Sequence, residues 1–510
     1  MTTLTNTLPA LARRLRAVAE VLLDEVPAPQ EDAAHDVADL LSPLVALART
    51  SLRPDHTWIL QAAVSGHLPL SDDVDDLVRW FELSTSPAEA EIGLLRRTLS
   101  LTAAHGEAGT AVAVVTDTVV VDVTFSAQSD KHTGIQRVVR EVCPRWDADH
   151  DITLAAWSPS QTALRSLRPD ERARVLSWGQ AGSSRAPVAS GGGPSDADAS
   201  AAVTLIPWHC TVVLPEVAQG RTAGPLAAIA QHSGNTVVAI GYDAIPVVSA
   251  DLRPVPEANQ FVGYLTVIKH SRRVAGISTA SAAEFRGFSE AVQAQGLAGP
   301  DVVEVELAAE GPPPGLLAET APQADAGALP IVLCVGSHEL HKNHLAVLHA
   351  AELLWREGHA FELAFIGGPG WDTSEYDAGV ADLVAAGRPV TDLGSVTDEE
   401  LWARYRTARF SIFPSLHEGF GLPVAESLAC GTPVITTDYG STQEIAMAGG
   451  CLLADPRDDD DLASAMRTLL TDQGAYSRLK EEALAVHPRT WDTYAAELWD
   501  SLVEATRRPR

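Results

Sequence analysis

A chain of 510 residues carrying a net charge of −30 is too long for one hydrophobic core; at roughly 150 residues per domain it should hold about three. That charge argues against nucleic acid and against electrostatic docking on anionic lipid as the basis of function. Hydrophobic residues at 46% and charged residues at 20% are ordinary for a globular protein, and no run approaches the roughly 18 apolar residues of a membrane span.

Arg13, Arg14, Glu20 and Asp24 interrupt the first thirty residues. A secretory leader is therefore not expected, and a cytoplasmic location is. The five cysteines (Cys143, Cys210, Cys334, Cys430 and Cys451) form no CxxC pair and no zinc spacing, which fits free thiols. If the substrate is a phosphate ester, a few cations must form an island in an acidic field. Only four lysines are available: Lys131, Lys269, Lys342 and Lys480.

In chain order, residues 1–108 carry apolar stripes at helical spacing, as in Leu8, Leu11, Leu15, Val18 and Leu22. Prolines divide them into short segments. With eight Lys/Arg against sixteen Asp/Glu, this is an acidic helical bundle and no basic tether. At about Gly109 the pattern changes. Val- and Thr-rich runs at 110–115, 118–123, 204–205, 211–214, 236–240 and 273–277 read as buried strands separated by helices, which predicts a parallel α/β sheet. Residues 180–200 read as a Gly-rich surface insertion, and Pro312–Pro314 open a linker. Beyond it a second α/β series begins, with strands at 331–335, 362–366, 410–413 and 433–437, and an amphipathic helix from Trp491 closes the chain.

Chemistry concentrates in 410–437, FSIFPSLHEGFGLPVAESLACGTPVITT. A buried strand ends at Pro414, a loop with Gly419 and Gly421 follows, and Pro423 sits where a first helical turn tolerates it. Such a loop lies at the carboxyl edge of a parallel sheet, where doubly wound folds bind ligands. Backbone N–H groups at a helix start suit a phosphate. Glu418 and Glu426 can face different parts of one extended ligand, each accepting hydroxyls for roughly 1.5–3 kcal/mol per charge-assisted bond. A helix-start acid with a solvated helix face, or a glycosidase carboxylate pair, are the competing readings. His338, Glu339, His341 and His344 do not make HExxH and read as solvated loop and helix-cap residues; Asp458–Asp461 reads as an acidic helix cap.

The spacing Glu418-x7-Glu426, with its EGFGLP loop and following CGTPVI strand, resembles the signature of family 4 glycosyltransferases, the retaining enzymes of the GT-B fold, and within them the mannosyltransferase-like group. Val335-Gly336-Ser337 followed by His341-Lys342-Asn343 is similar to that family's phosphate-binding element, and Gly367-Gly368 and Val390–Val396 fit as well. The resemblance implies two Rossmann-like domains facing a cleft behind an all-α segment. The helical domain is 1–108, an acceptor-side domain 109–315, a linker 316–327, a donor domain 328–486, and a C-terminal helix at 487–510 returns to the acceptor side.

By the same resemblance Glu426 holds ribose hydroxyls, Glu418 holds donor-sugar hydroxyls, and the amides of Gly419, Phe420, Gly421 and Leu422 contact sugar or phosphate. Lys342 neutralises the diphosphate beside Gly336 and Ser337, and the loop containing Gly394 lines the base pocket. Gly134, in the turn Thr133–Arg137, faces the phosphates from the other domain, where Arg137 and Arg140 add positive charge. Ser337 stands where many relatives carry arginine. Tyr242 stands where many carry a histidine touching the donor sugar, while Asp243 is retained to orient the acceptor or fix its loop. Glu418, Lys342 and Asp243 are the implied catalytic set. Neither metal nor pyridoxal phosphate is implied. The partners are a nucleotide-sugar donor and a glycan, lipid-linked or protein acceptor, with peripheral work at the inner face of a membrane. A non-catalytic subunit recruiting a transferase through 1–108, and a different GT-B enzyme such as an epimerase or phosphorylase, stay open. Residues 1–108 themselves suit self-association, carrier docking or partner binding.

Overall fold

The structure, a computed structural model, describes residues 2–105, 111–179, 203–312 and 328–507. The insertion read at 180–200 and the linker read at 316–327 lie outside those residues. Among the described residues, no helix is long and apolar enough to cross a membrane.

Helices α1 (Thr2–Leu22), α2 (Ala33–Ser51), α3 (Pro54–Ser65), α4 (Ser71–Leu83) and α5 (Pro87–His105) occupy the N-terminal region as the periodicity predicts. They are less independent than a free bundle. Leu15, Val18, Leu44, Trp58 and Leu77 share one apolar core with Val120, Leu205, Val212 and Val237 of the sheet that follows. Arg14 is buried within the layer and donates to the carbonyls of Ala63 (2.7 Å) and Val64 (3.3 Å) at the end of α3, a helix terminus that favours a cation. His67 and Leu68 bond Thr162, tying the layer to a turn of the next domain.

The first α/β domain comprises β1 (Val112–Val115), β2 (Val119–Asp122), α6 (Thr124–Gln128), α7 (Gly134–Asp149), β3 (Ile152–Trp157), β4 (Leu164–Ser166), α8 (Pro169–Leu176), β5 (Thr204–Pro207), β6 (Thr211–Leu214), α9 (Ala223–His232), β7 (Thr236–Gly241), α10 (Ile245–Val248), α11 (Val255–Ile268), β8 (Arg273–Gly276), α12 (Thr279–Gln293) and β9 (Asp301–Glu304). Its strands pair in the order β1-β5-β4-β3-β2-β6-β7-β8-β9. Alternate residues of each strand face opposite layers. Val120, Val212 and Val237 enter the core under α1–α5, and Val119, Val121, Val213 and Val238 enter the core on the other face.

The expectation of a wholly parallel sheet needs correction here. β4 runs antiparallel to both β3 and β5. The cause is a short hairpin between β3 and β4 in which Gln161 takes the left-handed conformation (φ 59°) that glycine usually marks. Ser158-Pro159-Ser160 marks a turn, but without a Gly or Asn at 161 nothing in the pattern marks a tight hairpin.

The second domain is a wholly parallel sheet. It comprises β10 (Ile331–Val335), α13 (His344–Arg356), β11 (Glu362–Ile366), α14 (Ser374–Ala385), β12 (Val390–Asp392), α15 (Asp398–Thr407), β13 (Phe410–Phe413), α16 (Leu422–Ala429), β14 (Val434–Thr437), α17 (Gly440–Ala446), β15 (Cys451–Ala454), α18 (Asp459–Thr471) and α19 (Gln473–Ala485). The order β12-β11-β10-β13-β14-β15 reverses between β10 and β13, and such a switch point opens the ligand crevice of a doubly wound sheet. The first sheet reverses between β2 and β6. Helix α20 (Trp491–Leu502) then crosses back, its Ala495 carbonyl accepting from Trp146 Nε1 at 2.9 Å and its Trp499 ring set edge-on to Trp146.

Because α1–α5 and the first sheet bury a common core, they should unfold together. Leu15→Ala removes a fully buried side chain and should cost about 2–5 kcal/mol. Hydrogen exchange should show protection falling by the same factor in α1–α3 and in β1, β5 and β6. Loss confined to the helices would show that the layer is an independent unit.

Candidate active site

The loop between β13 and α16 is held from below by its own domain and from above by the other. Leu416 N–H and Ser415 Oγ both donate to the His341 carbonyl (2.7 and 2.9 Å), and Thr437 and Ser441 hydroxyls hold the Ser415 and Glu418 carbonyls. Across the cleft, Ser278 Oγ donates to the Gly419 carbonyl at 2.7 Å. A Cβ on Gly419 would stand 2.2 Å from the carbonyl oxygen of Tyr242, so only glycine allows the two domains to approach this closely. Gly421, at φ +113°, opens α16 and is crowded by Thr442.

Around this loop lies a cavity of about 710 Å³, lined by both domains. Two of its carboxylates are each held by a cation. Lys342 Nζ lies 2.6 Å from Glu418 Oε1, its stem passing Gly336 and its ammonium 5.3 Å from the Phe413 ring. Glu426, buried midway along α16, is paired through Oε1 with Arg137 of α7 and accepts from Tyr405 OH at 3.2 Å through Oε2. Burial raises the Glu426 carboxyl above its ordinary range; the Arg137 charge and the two hydrogen bonds oppose that without overcoming it. Arg137 therefore joins α7 of the first domain to the opposite wall.

Gly134 begins α7 and lines the cavity facing Leu422. Its helix start is fixed by the Thr133 N–H and hydroxyl bonding Gln136. Arg140 is used locally: it donates to the carbonyls of Lys131 and Ser129 and lies 3.5 Å from the Trp178 ring, closing its loop. Asp243 also lines the cavity. Burial raises its carboxyl to about 6, with Glu284 and Glu418 adding to the shift and the Ile245 N–H opposing it.

Phe420, Leu422 and Gly336 border the cavity as expected. Three expectations fare differently. Tyr242 lines the cavity, but it meets Gly419 through its carbonyl while its phenol donates to the Pro215 carbonyl at 2.7 Å. Ser337 and Gly394 are not among the residues lining the cavity: the Ser337 carbonyl accepts from Glu339 N–H, and the Gly394 carbonyl accepts from Gly367 N–H, bracing the β10 loop from behind. The three histidines read as solvated are buried, and His341 and His344 are pushed by burial to about 2 and about 3, so both are neutral. The acidic cap holds, Asp458 accepting from the amides of Asp460 and Asp461.

Sequence reasoning did not reach His132, Trp178, Glu310, Asp398 or Trp491, which also line the cavity. Each stands alone in an unremarkable stretch, and only the topology collects them.

With this geometry in view, the comparisons are specific. Residues 320–486 match the family described as "Glycosyl transferases group 1". Those residues are a group 1 glycosyltransferase domain. An Escherichia coli O-antigen chain mannosyltransferase B is 35% identical over 144 residues, 28% of this chain and 36% of that protein. A D-inositol 3-phosphate glycosyltransferase from Xylanimonas cellulosilytica is 32% identical over 186 residues, 35% of this chain and 43% of that protein. The matched stretches thus span well under half of either curated relative.

Two solved structures show the fold. Anabaena HepE in complex with UDP and glucose aligns at TM-score 0.53 and 12% identity over 75% of this chain and 98% of that one. Sucrose-phosphate synthase from Thermosynechococcus elongatus aligns at TM-score 0.50 and 16% identity over 76% and 100%. The group 1 domain and the sheet facing it form a GT-B fold, and the helical layer precedes it. The family match begins at 320, inside the stretch read as linker.

The Asp243 carboxyl gives a pH test. Folded it keeps its proton to about pH 6, and unfolded only to about 4. The wild type therefore loses this contribution to stability as pH rises between those values. Asp243→Asn removes the dependence, so the difference in Tm, variant minus wild type, should grow from pH 4 to 6.5 and then level off. A flat or falling difference would contradict the buried, protonated carboxyl.

Proposed function

We propose that this protein is a retaining hexosyltransferase. Its donor is a nucleotide-sugar, GDP-mannose in first place with a UDP-hexose as the alternative. Its acceptor is a growing cell-surface glycan on a lipid or protein carrier, met on the cytoplasmic face of the membrane. The observation that carries this reading is that Glu418 and Glu426, eight residues apart, face one interdomain cavity, each paired with a cation that an incoming diphosphate can recruit. The mannosyltransferase name of the Escherichia coli relative supports the first choice of donor.

In this reading the ribose hydroxyls replace Arg137 on Glu426, and a hexose hydroxyl replaces Lys342 on Glu418. Both released cations then face the diphosphate. Lys342 stabilises the charge that grows there as the bond from the sugar C1 to the phosphate oxygen breaks. The acceptor hydroxyl attacks C1 on the same face, and its proton passes to the departing diphosphate. No protein nucleophile is required. Asp243, on the facing wall, orients the acceptor, and the closed domains keep water from competing.

Thermal stabilisation tests the reading directly. At about 100 times its dissociation constant, one nucleotide among GDP, UDP and dTDP should stabilise the wild type by roughly 2.7 kcal/mol. Its sugar conjugate should do at least as well, and Glu426→Ala should abolish the shift. No stabilisation by any of them would sink the donor site and favour a subunit that recruits a partner transferase.

A further inference from the structure

His417, directly before Glu418, is unused in the scheme above, yet it reaches across the cleft. Its Nδ1 lies 2.7 Å from Ser249 Oγ, just after α10, and its Nε2 lies 2.5 Å from Glu284 Oε1 on α12. Glu284 is engaged at both ends: its Oε2 accepts the Ala244 N–H at 2.7 Å, one residue beyond Asp243. Both side chains are sheltered, 15% and 18% exposed. One imidazole of the group 1 domain is thus gripped by two elements of the other domain, between the two carboxylates that flank the cavity.

We infer that His417 is a protonated clasp between the domains: with Glu284 it holds the cleft shut and fixes Glu418 opposite Asp243. It is a positioning residue. Closure and the placement of Glu418 become one event, because the residue that closes is covalently next to the residue that is placed. Closure itself does not depend on the transferase reading; only the role given to Glu418 does.

The charges around the imidazole favour the proton. Burial alone pulls it down, but the hydrogen bond and charge of Glu284 on α12, with Asp243 after β7 and Glu418 in its own loop, outweigh burial and hold it above its ordinary value. From the loop after β10 come His341 and Lys342. His341 is neutral, and the Lys342 charge is met by Glu418. Arg253, close to His341, is met by Glu339 and Glu257. Opening the cleft removes Glu284 and returns His417 to its ordinary pKa of about 6.5. The proton therefore favours the closed form. That contribution is complete below the ordinary pKa and is lost as pH rises through the raised one.

The cross-cleft contacts made to backbone groups do not involve the imidazole. Glu444 of α17 accepts from the Thr279 and Ala280 amides at the start of α12 (2.9 and 2.8 Å), and Ser278 holds Gly419. They hold the domains together while the clasp adds the pH-sensitive part.

The test is small-angle scattering of the full chain without nucleotide, from pH 6 to 9. The wild-type radius of gyration should rise in one step above pH 6.5. His417→Gln, which keeps a neutral hydrogen-bonding side chain, should be more open at pH 6 and show no step. Glu284→Gln should move the step down toward the ordinary histidine pKa. Circular dichroism of each variant at pH 6 verifies folding. A wild type without a step, or a step unchanged in His417→Gln, would overturn the inference. Stabilisation of the wild type by GDP or UDP is measured in parallel: a step with no nucleotide binding leaves the clasp standing and removes the transferase reading, and binding without a step does the reverse.

Discussion

Everything in the cleft depends on one backbone approach. The Gly419 Cα faces the Tyr242 carbonyl so closely that a methyl group would sit 2.2 Å from the oxygen. Neither domain can supply this alone: the glycine ends a strand–loop of the second sheet, and the carbonyl ends β7 of the first. Ser278 then reaches the Gly419 carbonyl, His417 reaches Glu284 and Ser249, and Arg137 reaches Glu426. Any larger residue at 419 would part the walls and lengthen all of these contacts together. A backbone contact also explains why Tyr242 tolerates an inward-facing phenol, since its role at this point is played by its carbonyl.

The second constraint is charge. In a chain of net charge −30, a cavity with several acids would repel a diphosphate unless those acids were already compensated. Breaking a buried pair by removing one partner leaves an uncompensated charge and costs several kcal/mol. An anionic ligand that supplies new partners to both members avoids that penalty. In the proposed reading the pairs Lys342–Glu418 and Arg137–Glu426 undergo such an exchange, each carboxylate turning to hydroxyls while each cation turns to phosphate. The cavity lining stays acidic overall, with Arg137, Arg140 and Lys342 set among more carboxyls, but the two acids of the loop and helix are each compensated locally, which an overall charge count cannot reveal.

Legibility followed the locality of the signal. The strands Ile331–Val335, Glu362–Ile366 and Phe410–Phe413 were plain because each is a short buried run bounded by glycine or proline. The loop 418–422 was plain because its glycines, its proline and two acids are contiguous. β4 was hidden, since it is a three-residue strand and Gln161 gives no sign of the left-handed turn before it, although Ser158-Pro159-Ser160 marks a break there. The shared core of α1–α5 was hidden for another reason: an apolar stripe shows that a helix buries a face, not what lies against it. Arg137 was noticed as a charge, but its partner is 289 residues away. His417 and Glu284 carry no motif at all, and only domain closure brings them together.

The path of the chain between the domains completes the picture. The chain leaves the first α/β domain near 309–311 and returns near 489–491, and the two crossings are bonded to each other: Ala309 N–H to the Arg489 carbonyl at 3.2 Å, and Trp491 N–H to Glu310 Oε1 at 3.0 Å. Glu310, Gly311 and Trp491 also line the cavity, and the Arg137 guanidinium lies 5.8 Å from the Trp491 ring. The crossings therefore form part of the cavity wall. Beyond them the first sheet is braced on one face by α1–α5 and on the other by α20 with α7, so its layers are packed from both sides. Arg137–Glu426 beside the crossings and His417–Glu284 therefore join the same two domains at two separate places in the cleft.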